Sequence, residues 1–162
     1  MRDAALFRLS GLAAIGGGLL RAANAFTAGL LDEHTLQISY FATDVLLIFG
    51  LIGIYLNCRK STGVAGLAGF AMAVIGLLLV RSAAVFGSYA IAAAVTLLGT
   101  IILGAAMLAD RALPRAAPLL WFASLAFGIA ATLAPSLAWA NAAAGVAFGL
   151  GFIAAGAKLA RA

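Results

Sequence analysis

The sequence predicts an all-α polytopic integral membrane protein, a compact bundle of six transmembrane helices with both termini cytoplasmic. Three observations carry that expectation. The 162 residues are 65% hydrophobic and only 9% charged, whereas soluble domains carry roughly 25% charge. Mean hydropathy is +1.16, and apolar stretches of about 20 residues, enough to cross a hydrocarbon core about 30 Å thick, recur from end to end. The basic residues fall in alternate connections, as the orientation of a multi-pass protein requires. The chain reads as one transmembrane domain, residues 1–162, with no room for a soluble one.

The spans are expected at residues 5–26, 38–57, 64–81, 89–108, 118–134 and 137–157. The first carries Arg8 near one interface and Arg21 near the other, where both side chains can snorkel toward headgroups. Its apolar run Leu9 to Leu20, followed by Ala23-Asn24-Ala25, also has the outline of a secretory signal with a small-residue cleavage site. Arg21 interrupts the approach to that site, so the segment is expected to stay as a helix. The triplet Gly16-Gly17-Gly18 loosens it. The second span runs into the polar stretch Asn57-Cys58-Arg59-Lys60-Ser61-Thr62-Gly63, read as a loop, and the third opens with Gly66 and Gly69. Pro114, Pro118 and Pro135 fall at span ends, where a missing N–H is cheap. All connections are short, which forces neighbouring helices to pack antiparallel.

Counting charges sets the orientation. With the N-terminus inside, the inner segments hold Arg2, Arg8, Arg59, Lys60, Arg111, Arg115, Lys158 and Arg161, eight of the ten basic residues. The outer side keeps Arg21 and Arg81, and its first loop carries Asp32, Glu33 and His34. This places the protein in a bacterial-type inner or plasma membrane with N- and C-termini inside. A five-span arrangement would put basic clusters on both sides. The net charge of +5 is therefore a topology signal, and nucleic acid is not an expected partner. A faint echo, Tyr40 with Tyr89 and Gly50 with Gly99, suggests a duplicated hairpin.

Within lipid, helices gain little from hydrophobic burial, so close backbone contact and polar bridges hold them together. The chain has 19 glycines. Gly145 and Gly149 form a GxxxG with Asn141 on the same face, and with Gly66 and Gly69 they are the expected packing residues. The GxxxG serves either this chain's own packing or a homodimer.

Asp44 is the residue out of place. Gln37, Tyr40 and Asp44 form one stripe on the second span, which sets the carboxylate about 9 Å below the outer boundary. A charge at mid-helix costs about 2.5–3.5 kcal/mol on insertion scales, so a partner is expected. Arg21 and Asn24 lie at that depth on the first span, Arg81 ends the third, Tyr89 opens the fourth, and Asn141 and Trp139 enter the sixth. Asp44 is expected to pair with Arg21 or Arg81 in an outward-facing polar cavity that also takes in Asn24, Tyr40, Tyr89 and Asn141. The arginine left over would attract an anionic head or carboxylate. The plainer alternative is an Asp–Arg bridge that ties two helices together.

What the chain lacks argues against several other kinds of chemistry, without excluding catalysis. A single cysteine, Cys58, permits no internal disulfide, and a single histidine, His34, permits no bis-histidine haem. No lysine lies within a span to form a retinal Schiff base. HExxH, GxSxG and phosphate-loop motifs are missing, no serine has a histidine to activate it, and Thr96 and Thr100 are expected to bond their own helix carbonyls. No catalytic residue, metal site or cofactor is assigned. A lipid- or isoprenoid-modifying enzyme ranks last, since a lone carboxylate beside an arginine stays ionised. The function expected is binding or transport of a small amphipathic or anionic molecule through the outer cavity. The alternative is a non-catalytic accessory or assembly subunit of a larger membrane complex. Expected partners are the lipid bilayer, a small-molecule or lipid ligand, and another membrane subunit or a second copy.

Overall fold

The computed structural model describes residues 2–27, 29–82, 89–109, 113–134 and 136–161, with the side chains of residues 2, 3, 81 and 138 outside the description. Among the described residues there are five helices and no strand: α1 (Arg2–Asn24), α2 (Glu33–Arg81), α3 (Tyr89–Ala109), α4 (Ala116–Leu133) and α5 (Ala138–Leu159). All five are long and apolar enough to cross a membrane. Large side chains such as Val64 and Leu133 are 84% and 79% exposed, while Leu51, Ile54, Trp121 and Phe152 are fully buried. Helices apolar both inside and out are what a lipid solvent selects.

Five helices replace the six expected. The polar stretch read as a loop between the second and third spans stays helical, and α2 runs on for 49 residues. Ser61 and Thr62 tie it to the turn before, each hydroxyl donating to the Cys58 carbonyl at 2.8 and 3.0 Å. Only Gly63 departs, at φ 56° and ψ −145°, a conformation that a side chain would disfavour. That one residue reverses the chain. Tyr55 and Phe70 stack with ring centroids 4.6 Å apart and planes 13° apart, whereas fifteen residues of unbroken helix would separate them by about 22 Å. The first arm of α2 (33–62) and the second (64–81) are therefore neighbours.

Small residues set the remaining contacts, and they pair in antiparallel order. On the first arm Gly50 sits beneath Ala14 and Gly53 beneath Ser10 of α1, while Gly17 lies on Leu47. On the second arm Gly69 meets Leu103, Ala73 meets Gly99 and Gly76 meets Thr96 of α3. Gly104 then packs on Pro118, and Trp121 of α4 packs against Phe152 of α5 with centroids 5.2 Å apart. Gly11 and Gly18 of α1 finally meet Gly156 and Gly149 of α5. Five helices thus make a closed ring of six rods.

The echo in the sequence runs deeper in the fold. The buried positions Thr43, Leu47, Gly50, Leu51, Ile54 and Cys58 recur 49 residues on as Ala92, Thr96, Gly99, Thr100, Leu103 and Met107, all buried. A further 48 residues on, Ala140, Ala147, Phe148, Gly151 and Ala155 of α5 are buried in the same register. The first arm, α3 and α5 present equivalent faces to the interior.

Candidate functional site: a polar cavity inside the ring

The helical period brings polar side chains from distant parts of the sequence to one end of the ring. There all five helices enclose a cavity of about 340 Å³. Arg21 enters from α1, and the Gln37, Tyr40 and Asp44 stripe of α2 forms one wall. Tyr89, Ala93 and Thr96, at the spacing of Tyr40, Asp44 and Leu47, form the equivalent wall on α3. Ser124 of α4 completes the polar lining. Leu47, Leu77, Leu97 and Phe148 supply an apolar surface. Arg21, Tyr40 and Asp44 are half-buried, and Tyr89 is exposed at the rim.

Arg21 owes its place to Gly145. A β-carbon at Gly145 would lie 3.8 Å from the Arg21 guanidinium carbon and 3.2 Å from the Ala25 methyl, so the bare backbone of α5 leaves room for the arginine to lie along it. Among the described residues the guanidinium has neither a hydrogen-bond nor an ion-pair partner. The alternative partner for Asp44, the side chain of Arg81, lies outside the described residues.

Asn24 lies behind the cavity wall and is only 5% exposed. Its amide nitrogen donates to the Thr43 hydroxyl at 3.0 Å, and its amide oxygen accepts from the Ser39 hydroxyl at 2.8 Å. Thr43 in turn donates to the Ser39 carbonyl at 2.8 Å. Every polar atom of the amide end that faces α2 is thereby engaged, and the residue clips α1 to α2. Asn141 is exposed and does not line the cavity. Gly69 and Gly149 sit at helix contacts within the chain, while Gly66 lies against Thr62 of its own turn.

The two threonine hydroxyls bond their own helix as the sequence predicts, and a serine goes further. Thr96 and Thr100 donate to the carbonyls of Ala92 and Leu97, both at 2.9 Å. Ser124 reaches across to the Ala144 carbonyl at 2.8 Å, an interhelical bridge that no sequence signal distinguishes from bonding within its own helix. Thr43 and Ser124, which line the cavity, are thus site residues that sequence reasoning missed, and Ser39 belongs to the clip behind them. Cys58 is buried at the other end, its thiol donating to the Ile54 carbonyl at 3.2 Å. Among the described residues no three of His, Cys, Asp and Glu come together as metal ligands.

Chemically, the cavity combines a guanidinium that has no hydrogen-bond or ion-pair partner among the described residues, the Asp44 carboxylate, tyrosine rings and an apolar surface. Guanidinium forks favour carboxylate and phosphate oxygens, and apolar walls with a few placed polar groups are the usual make-up of small-molecule pockets of about 300–1,000 Å³. No protein-family model, curated protein or solved structure matches the chain.

Proposed function

We propose that the protein binds or transports a small amphipathic or anionic molecule through this cavity. The observation that carries the reading is Arg21: a half-buried cation on the cavity wall, without a partner among the described residues. An uncompensated charge at such depth is costly, and an anionic ligand group is the natural counter-charge. The apolar surface formed by Leu47, Leu77, Leu97 and Phe148 suits the rest of an amphipathic molecule.

In this reading the chain crosses the membrane six times with both termini inside. The reversal at Gly63 supports it by splitting α2 into two arms, and the basic residues then gather on the cytoplasmic side. The cavity opens outward. An accessory-subunit role has weaker support, since Gly145 and Gly149, the pair best suited to dock a partner helix, are occupied by α1.

Native mass spectrometry of the protein extracted in mild detergent, beside Arg21→Gln, tests the reading. A co-purifying small molecule that is lost in the variant, with thermal stability unchanged, is the expected result. A bare protein, or one that carries a second polypeptide in both samples, would replace this reading with the accessory subunit.

A further inference from the structure

The opposite end of the ring holds a second concavity. A groove of about 400 Å³ runs between the start of α1 and the end of the first arm of α2, lined by Leu6, Phe7, Leu56, Asn57, Arg59 and Lys60. Its location follows from the antiparallel register that places Ser10 on Gly53, which brings Phe7 alongside Leu56. Arg59 and Lys60 are exposed, and among the described residues neither has a hydrogen-bond or ion-pair partner.

We infer that this groove seats an anionic phospholipid, phosphate against Arg59 and Lys60 and the upper acyl chains against Leu6, Phe7 and Leu56. Three features fit that occupant together. The guanidinium offers a paired donor fork and the ammonium a point charge, the complementary chemistry for a phosphodiester. Asn57 adds an amide to the same lining, able to donate to a lipid's ester oxygens. In the six-span topology proposed above, the inner segments of the sequence carry eight basic residues against only Asp3 and Asp110, an excess that concentrates anionic lipid from the surrounding leaflet. A free phosphate would use the cations and leave the apolar wall unused. The inference rests on the chain spanning a membrane and is independent of the ligand proposed for the Arg21 cavity.

The test uses the full chain in mild detergent, titrated with phosphatidylglycerol or phosphatidylcholine of identical acyl chains and followed by native mass spectrometry and thermal unfolding. One phosphatidylglycerol should stay bound under activation that strips phosphatidylcholine, and it should raise the melting temperature more. Replacing Arg59 and Lys60 by Gln should lower phosphatidylglycerol occupancy about tenfold, through loss of charge-assisted hydrogen bonds. Replacing Lys158 and Arg161 by Gln, an equal loss of charge at the same end, should leave occupancy intact. Equal retention of the two lipids by the wild-type chain would overturn the proposal. So would equal losses in the two double variants, which would mark a diffuse surface effect. Displacement of phosphatidylglycerol by inorganic phosphate would also overturn it, by assigning the groove to the free anion. The wild-type lipid comparison decides the matter even where the Arg59 and Lys60 variant fails to fold.

Discussion

A β-carbon on Gly18 would lie 2.5 Å from the carbonyl oxygen of Gly149, so α1 and α5 meet backbone to backbone. One heptad away on each helix, Gly11 and Gly156 repeat the contact in antiparallel order. Gly149→Ala or Gly18→Ala must push the helices apart, and overpacking of this kind costs about 1–3 kcal/mol. Gly128→Ala is the matched control, because its nearest neighbour would be a leucine methyl at 3.9 Å. Reversible unfolding in detergent should show a clear loss for the first two and no loss for the third.

Gly63 makes the opposite case. Apart from the adjoining backbone, no atom lies within 4 Å of a β-carbon built there, so space does not require glycine; backbone conformation does. At φ 56° and ψ −145° a substituted residue is strained by about 1–3 kcal/mol. Gly63→Ala should therefore destabilise despite open surroundings. Loss of the Tyr55–Phe70 stack, read from aromatic circular dichroism, would report that the chain has failed to reverse.

Asn24 should prove a structural clip. Removing both of its bonds to α2 with Asn24→Ala should cost about 1–2 kcal/mol, given the modest value of interhelical hydrogen bonds in membranes. A double-mutant cycle with Thr43→Ala should be non-additive, since the two residues share one bond. Ligand binding that required Asn24 after correction for stability would contradict its place behind the wall.

At the start of α2, Asp32 caps the helix from outside the apolar segment. Its carboxylate accepts from the Thr35 hydroxyl at 2.6 Å and the Thr35 N–H at 3.0 Å. These bonds, the hydroxyl's first, hold its pKa below the ordinary carboxylate value. The sign follows from linkage: the cap stabilises fully above the ordinary carboxylate pKa and is lost as pH falls through the lowered one. Hydrogen exchange of amides in the first turn should quicken on acidification through that window. Asp32→Asn should cap at all pH values and abolish the dependence.

The helices and the cavity were legible in the sequence to different degrees. Hydropathy placed the ends of α3, α4 and α5 within about two residues, because span length is set by the bilayer. Helical rise put Arg21, Tyr40, Asp44 and Tyr89 at one depth, and they do line one cavity. The uninterrupted helix through Lys60 and Ser61 was not legible, since a polar run between apolar spans reads alike whether it unwinds or not. The partners of Asn24 escaped for another reason: Ser39 and Thr43 look the same in sequence whether they serve their own helix or a neighbour. With 19 glycines, too many registers are available for composition to single out Gly18 on Gly149.

The contact of α1 with α5 also fixes an order of events during synthesis. Because α1 precedes α5 in the chain, its partner across the Gly18–Gly149 contact is made after the helices between them. Until α5 is made, the Gly11 and Gly18 face of α1 lacks the helix that covers it in the finished fold. A chain stopped short of Ala138 would keep its other apolar helices and still lack the one that closes the ring.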